Sequence, residues 1–526
     1  MGGEAFSASV YLLEDHLRAG RGGAVAVRSA EGQLTYGELL DRVARAAGGL
    51  RDLGVRREDR VLLVMFDGPG WLVSFLAALR IGAIPVPVST MLTASDLALL
   101  ACDARPQVAI VSGTGATIPS FLAQVPWLRA VVVEGPAASL DGWAKQGMPQ
   151  RLHHFDELLA SSPVASEMTG IDTPGFWLYT SGTTGSPRAA MHRQVDLRVT
   201  AEAFGRDVLG VRPDDVVYSV SKLFFAYGLG NSLTFPLSAG ASVVLDDQPA
   251  TPERAAEMLA RERPTLFFAV PRFYASLLAT GLPKDAFSSV RIAVSAGEAL
   301  PAEILRRFRD RFGVEIVDGL GSTETLHTYL SNRPGVVRPG TCGTVVPGYE
   351  VRILDQHGSP VRAGQPGELH VRGGSITTGY WNDEDTTRQV LDAGWLRTGD
   401  VVCCSPEGIF THLGRANDMM KVGGIWVSPT EVEATLVGHP EIIEVAVIGQ
   451  HDADGIARLV AYVVVRGDAP PETELASFAR RHLAPFKRPE RFVVVAELPK
   501  TATGKVRRAL LRSEPVSVGT GDRSSA

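Results

Sequence analysis

Over its first 320 residues the chain repeats one alternation: a short apolar run, then a stretch of helical periodicity, then another apolar run. Residues 60–65 read as a buried strand, 71–81 as a helix and 84–88 as the next strand. Farther on, residues 265–269 and 291–295 read as strands, and 301–312 as a helix with Pro301 at its start and Gly313 just past its end. Thr35 and Glu38 form a T-x-x-E capping box that opens a helix running toward Leu50. Strands that alternate with helices must be joined by crossovers, so the pattern predicts an α/β fold with largely parallel sheets.

The pattern changes at residue 349. From there to residue 410 short strands are separated by turn signals, which predicts a small β-rich subdomain. After Gly414 a third character appears: a helix at 429–437, strands at 444–448 and 459–465, a helix at 472–482 and a strand at 491–495. About 100 residues suffice for a separate α+β domain. The chain of 526 residues exceeds what one core serves. The division expected is a large N-terminal domain over residues 1–416, a smaller mobile domain over 417–513, and a disordered Ser- and Gly-rich tail over 514–526. No repeat of solenoid or propeller period is present.

Composition removes several function classes. Charged residues are 21% and hydrophobic residues 45%, an ordinary globular balance. With 52 basic against 58 acidic residues the net charge is −6, which gives no global case for a nucleic-acid or acidic-membrane partner. The four cysteines form no C-x-x-C, and no Cys/His set has zinc spacing. Adjacent Cys403 and Cys404 alternate faces if they lie in a strand, which favours a structural role in a reducing compartment. The N-terminus has no basic-then-apolar leader, and Phe6 breaks the myristoylation pattern. The most apolar stretch, 71–88, is interrupted by Arg80, Gly82 and two prolines, so it is no membrane span. The expectation is a cytoplasmic protein, monomer or homodimer, without membrane or nucleic-acid partners.

One segment carries chemistry. Residues 179–188 read Tyr-Thr-Ser-Gly-Thr-Thr-Gly-Ser-Pro-Arg. Packing does not explain the six consecutive small or hydroxyl residues at 180–185. Taken alone they could form a plain surface turn; with the whole Thr-Ser-Gly-Thr-Thr-Gly-x-Pro run intact, they suit a loop whose N–H groups and hydroxyls wrap a phosphate. A Walker A loop needs a Gly-Lys pair, which is missing, so a P-loop kinase or ATPase is disfavoured.

This loop resembles the phosphate loop of the adenylate-forming superfamily, which contains acyl- and aryl-CoA ligases, peptide-synthetase adenylation domains and firefly-type luciferases. Other segments follow in the family's order, from about residue 20 to 512. Ser-Ala-Gly-Glu-Ala at 295–299 and Asp-Gly-Leu-Gly-Ser-Thr-Glu at 318–324 resemble the adenine- and phosphate-contacting segments. Gly-Trp-Leu-Arg-Thr-Gly-Asp at 394–400 is similar to the ribose-binding stretch. Residues 414–424 resemble the hinge, and Pro-Lys-Thr-Ala-Thr-Gly-Lys at 499–505 the loop with the catalytic lysine.

The resemblance implies an ATP/AMP site of Thr180, Ser181, Gly182, Thr183, Thr184, Gly185, Arg188, Ala296, Gly297, Glu298, Ala299, Asp318, Gly319, Leu320, Gly321, Ser322, Thr323, Asp400 and Arg415. It implies Lys505, Glu324 and Lys421 as catalytic residues, Glu324 and Thr184 on Mg²⁺, and Asn417 as hinge. A tunnel for the CoA pantetheine arm is implied at Gly423, Gly424 and Ile425. Residue chemistry agrees. Asp400 can accept from both ribose hydroxyls, although Thr-Gly-Asp is also a turn sequence. Glu324 offers a hard oxygen to ATP-borne Mg²⁺, although a helix-start glutamate reads the same way. Lysine occurs only seven times, so Lys505 in a motif loop stands out from a surface that otherwise uses arginine. A compact ammonium there can approach the carboxylate and the bridging phosphate oxygen together.

Four positions depart from the family pattern. The loop lysine is Arg188, followed by Ala189 in place of Gly; the hinge aspartate is Asn417, with Asp418 next; and Leu320 stands where many relatives place an aromatic over adenine.

Residues 221–231 and 321–334 resemble the benzoate–CoA ligase branch. By position, Phe225, Ala226, Tyr227 and Gly228 should line one wall of the acyl pocket, with His327 and Thr328 near the opposite wall. Aromatic faces with Gly and Ala leave a flat slot for a planar ring. A core strand over 224–227 and a buried structural His327 are the plainer alternatives. Thr328 replaces a residue that is more often aliphatic, which points to a hydroxy- or amino-substituted benzoate. The reaction implied joins an aryl acid to CoA through an aryl-adenylate at the expense of ATP. An acyl carrier protein as thiol acceptor is the nearest alternative, and a catalytically silent nucleotide-binding module the distant one.

Overall fold

A computed structural model describes residues 5–145, 148–181, 187–416, 418–422, 425–451, 457–467, 469–500 and 506–513. Among these, a first sheet of five strands runs in the order Ile84–Pro87, Arg60–Val64, Val108–Ser112, Ala130–Glu134 and Arg151–His154, parallel throughout. A second sheet has nine strands. Its centre runs Val25–Ser29, Ser242–Val244, Val216–Ser219, Leu266–Ala269, Ile292–Ser295 and Ile316–Gly321, all parallel. Only its margins are antiparallel: Gly32–Thr35 at one side, Thr328–Ser331 and Thr344–Val345 at the other.

The helix Pro69–Arg80 sits in the apolar core that the two sheets share. Every residue in it is buried. One apolar cluster runs from Val61 and Leu63 of the first sheet through Trp71 and Phe75 to Val243 and Leu326 on the side of the second. A helix buried on all faces needs neighbours on all faces, and here the helix Tyr36–Asp52 and the strands Ile84–Pro87 and Arg60–Val64 are among them, within a core that reaches both sheets. The helix Tyr36–Asp52 opens with the capping box expected at Thr35 and Glu38, both reciprocal bonds being present.

The β-rich subdomain is antiparallel, built on Tyr349–Leu354, Gly367–Gly373, Trp395–Cys404 and Phe410–Arg415. The C-terminal part pairs Ile442–His451 with Ala457–Val465 antiparallel and adds Arg491–Val494 in parallel. Its core includes Val427, Val432, Leu436, Ala461 and Leu475. The fold class is therefore as the sequence implied: a large α/β part with parallel sheets, a β-rich subdomain and a smaller α+β part.

Element ends moved by a few residues, with identifiable causes. The helix expected at 71–81 starts at Pro69, because extended Gly68 ends the preceding loop and Pro69 takes the first helical position. Pro301 is the N-cap of Ala302–Phe312 and lies just outside it, while Gly313 closes that helix in the left-handed conformation, φ 72°. The strand alternative over 224–227 is corrected. Phe225 is extended and caps a helix, Ala226–Leu229, which continues as a wider turn through Gly230–Thr234. No helix among the described residues is long and apolar enough to cross a membrane. The expected tail over 514–526 lies outside the described residues.

Candidate active site

Two of the segments singled out in the sequence, 295–299 and 318–324, lie at the C-terminal ends of neighbouring parallel strands of the second sheet, where open α/β sheets leave a crevice. Ala296, Gly297, Glu298 and Ala299 follow the strand Ile292–Ser295, and Gly297 takes a left-handed φ of 95°. Asp318, Gly319, Leu320 and Gly321 close the next strand, Ile316–Gly321. Burial pushes the Asp318 carboxyl up to about 8, so at neutral pH it is mostly protonated and can donate as well as accept.

Ser322 caps the single turn Thr323–Thr325 that presents Glu324. This turn is braced from three directions. Tyr380 donates its hydroxyl to Glu324 Oε1 at 2.8 Å. The Thr377 N–H donates to the Glu324 carbonyl at 2.7 Å. His192, buried and stacked on Phe176, holds the Thr323 carbonyl through Nε2 at 2.8 Å and faces Asp196 through Nδ1 at 3.1 Å. Leu326 then takes φ 67° and ψ −38°, a strained conformation for a branched side chain, and remains buried.

Arg188 joins this group. It lies opposite Thr180 in the hairpin of Pro174–Ser181 and Pro187–Arg193. Its Nε pairs with Asp383 at 2.8 Å, and its guanidinium lies 5.9 Å from the Tyr380 ring centre. Asp383 also accepts from the Thr386 N–H, capping the helix Glu384–Val390. Ser181 is described in its backbone alone, and Gly182, Thr183, Thr184 and Gly185 lie outside the described residues.

Asp400 and Arg415 sit opposite each other on neighbouring antiparallel strands. Asp400 Oδ1 receives Arg415 Nε at 3.2 Å and His412 Nε2 at 3.1 Å, and Asp400 is 2% exposed. Arg415 also donates to the Thr398 carbonyl at 2.7 Å. The neighbouring Asp400 holds the Arg415 guanidinium above its ordinary range, and Glu324 adds to the effect. Asp400, Arg415 and Glu324 thus share one electrostatic neighbourhood.

The aryl-pocket residues need one correction. The Tyr227 and His327 ring centres are 5.4 Å apart. A planar ring between two walls needs about 3.5 Å on each side, roughly 7 Å in all. These two side chains therefore pack on each other and leave no slot between them. His327 is also packed on Phe235 and Phe204, at 4.6 and 5.2 Å between ring centres. Burial pushes it down to about 3, so it is a neutral imidazole, and Nε2 meets Asn231 Oδ1 at 3.2 Å. Gly230 gives it room: a Cβ there would come within 2.3 Å of His327 Cδ2.

Gly228 does not open the pocket either, since a Cβ on it would meet the Lys222 carbonyl at 2.0 Å. Phe225, Ala226 and Tyr227 remain partly exposed at the helix start. Thr328 is buried at the start of the strand Thr328–Ser331 with its methyl over Gly319, and no hydrogen bond from its hydroxyl is formed among the described residues.

In the C-terminal part, Lys421 and Ile425 are described in their backbones, within a short hairpin of Met420–Val422 and Ile425–Val427. Asn417, Gly423, Gly424 and Lys505 lie outside the described residues. His192, Tyr380, Asp383, His412 and Asn231 were not singled out in the sequence. His192 and Tyr380 lie beside recognised motifs, but only their partners distinguish them from ordinary polar positions.

The AMP-binding enzyme family matches residues 13–381, and the AMP-binding enzyme C-terminal domain matches 431–505. The chain is 42% identical to the benzoate–CoA ligase of Thauera aromatica, over 97% of this chain and 96% of that protein. It is 39% identical to a 4-hydroxybenzoate–CoA/benzoate–CoA ligase of Rhodopseudomonas palustris, over 96% and 94%. The crystal structure of an anthranilate–CoA ligase in complex with anthranoyl-AMP superposes with a TM-score of 0.90 at 34% identity, covering 97% of each chain.

Proposed function

Because this chain belongs to the AMP-binding enzyme family, in its benzoate–CoA ligase-like branch, we propose that it is an ATP-dependent aryl-CoA ligase acting on a benzoate-type acid. The observation that supports this best is the shared electrostatic neighbourhood of Asp400, Arg415 and Glu324, the last of which stands three residues before His327, whose ring packs on Tyr227. One end suits a nucleotide and the other a planar ring.

In the first step a carboxylate oxygen attacks the α-phosphorus of ATP. A C–O–P link forms, the bond to the bridging oxygen breaks, and pyrophosphate leaves. Asp400 accepts from the ribose hydroxyls, while Arg415 and His412 keep its carboxylate in place. Lys505 stabilises charge on the reacting oxygens. In the second step a thiol attacks the acyl carbon of the aryl-adenylate and AMP departs. Rotation about Asn417 removes Lys505 and brings Gly423, Gly424 and Ile425 to a thiol tunnel, with Lys421 on the adjoining hairpin.

Mg²⁺ fits as a companion of ATP. No group of three or more His, Cys, Asp or Glu that could hold a metal occurs among the described residues. A lone carboxylate at Glu324, with Thr184, suits an ion that keeps most of its ligands as phosphate and water. Bound there, the ion would neutralise phosphate charge.

The test is ATP–pyrophosphate exchange across a panel of benzoates, followed by mass analysis with CoA and with a phosphopantetheinylated carrier protein. Exchange with no aryl acid would overturn the reading. CoA–thioester formation in preference to carrier loading is the expected result.

Arg188 yields a first prediction. Its charge lies beside the phosphate loop and is shared with Asp383. Arg188→Ala should raise the KM for ATP about tenfold, the scale of one hydrogen bond to a charged group, with Arg188→Lys recovering most of it. An unchanged ATP dependence would reduce Arg188 to a brace for Asp383.

Thr328 yields a second. Its buried hydroxyl is available to a ring substituent, and we propose a hydroxy- or amino-substituted ring on that ground. Thr328→Val keeps the shape and removes the hydroxyl. It should lower kcat/KM for the matching hydroxy- or aminobenzoate about two- to tenfold and leave benzoate nearly unchanged. Equal loss on every ring would mean that Thr328 supports the fold alone.

A further inference from the structure

Asp67 belongs to none of the motifs considered so far. It follows the strand Arg60–Val64 of the first sheet and is 5% exposed. The helix that begins two residues later has no side-chain cap bond. The Asp67 carboxylate reaches across to the second sheet's side, where both oxygens accept the Leu223 N–H, Oδ1 at 3.2 Å and Oδ2 at 3.3 Å. A carboxylate is costly to bury, and burial pushes this one up to about 6. An apolar residue there would avoid that cost, and the only hydrogen bond it supplies among the described residues is to one backbone amide.

That amide belongs to the turn that carries the aryl wall. The Phe225 N–H donates to the Lys222 carbonyl at 3.1 Å. Lys222 Nζ donates to the carbonyls of Asp246 at 2.6 Å and Gln248 at 2.8 Å. On the other side Gly228 presses against the Lys222 carbonyl with no room for even a methyl group. A turn held on both sides has no slack. A shift of the Leu223 amide therefore passes into Phe225, Ala226 and Tyr227, since close-packed interiors transmit displacement.

We propose that Asp67 is a positioning residue for the aryl pocket: by holding the Leu223 amide from another sheet, it sets the wall formed by Phe225, Ala226 and Tyr227. The proposal rests on the aryl-CoA ligase reading and deepens it. Asp67 touches no reacting atom, so its loss should show in aryl-acid recognition and leave the nucleotide side intact.

The experiment compares wild type, Asp67→Ala, Asp67→Asn and Asp67→Glu on the aryl acid most active in the exchange panel. Asp67→Ala should raise the KM for the aryl acid about tenfold, with kcat and the KM for ATP within about twofold of wild type. Asp67→Asn keeps an acceptor oxygen for the amide and should restore the KM to within about threefold. If Asp67→Ala does not fold, Asp67→Glu decides: the acceptor is kept but displaced by one methylene, so the aryl-acid KM should rise with the ATP KM unchanged. An unmoved aryl-acid KM, a uniform fall of all three parameters, or an Asn variant as impaired as Ala overturns the proposal alone. A wild-type protein that activates no aryl acid overturns the parent reading and this one with it.

Discussion

Lys505→Ala is expected to slow ATP-dependent formation of the aryl-adenylate about a hundred- to a thousandfold, while transfer from a supplied aryl-adenylate to CoA stays within a few fold. The magnitude is that of removing one preorganised charge contact from a transition state, roughly 3–4 kcal/mol. The asymmetry follows from the proposed use of one site for two reactions, with Lys505 present in only the first. The base of its loop is held firmly: Lys500 and Val506 pair in antiparallel fashion, the Arg507 N–H donates to the Pro499 carbonyl, and Lys500 is paired with Glu444 at 2.6 Å. Pyrophosphate exchange reads the first half-reaction, and AMP release from synthetic aryl-adenylate with CoA reads the second. Equal losses in both would sink the assignment.

Asp400→Ala should cost about a hundredfold or more in kcat/KM for ATP and abolish discrimination between ATP and 2′-deoxy-ATP. Each hydrogen bond to a charged group contributes about 1.5–3 kcal/mol, and a carboxylate that accepts both ribose hydroxyls supplies two. Arg415 is half exposed on its side chain, 47%, so stranding its charge adds little and the loss should fall on the nucleotide. Asp400→Asn keeps the shape but turns one acceptor into a donor, so it should recover only part of the activity. If the variant still prefers ATP to the 2′-deoxy nucleotide by the wild-type ratio, Asp400 does not read the ribose.

The α/β alternation was legible because period and punctuation are local. Apolar runs, Pro at helix starts and Gly313 past a helix end are written within a few residues of the elements they specify, and the capping box at Thr35 appeared as read. The segments around Asp318, Glu324, Asp400 and the Thr-Ser-Gly-Thr-Thr-Gly loop could be recognised as family motifs for a related reason. Binding phosphate or ribose asks for particular small or acidic residues in consecutive positions. The acyl wall was less legible. Sequence position assigned Tyr227 and His327 to facing walls, and only ring packing showed that they lie against each other.

What the sequence determined by itself is therefore the fold class, the family and the order of the family's motif segments. What the tertiary structure decided is which distant polar groups hold those segments in place. Tyr380 reaches Glu324 across 56 positions, His192 reaches the Thr323 carbonyl across 131, Asp67 the Leu223 amide across 156 and Arg188 the Asp383 carboxylate across 195. No periodicity or spacing rule connects residues so far apart, because their contact is created by packing one sheet against another. A buried hydrogen bond chooses its partner only after the chain has closed around it.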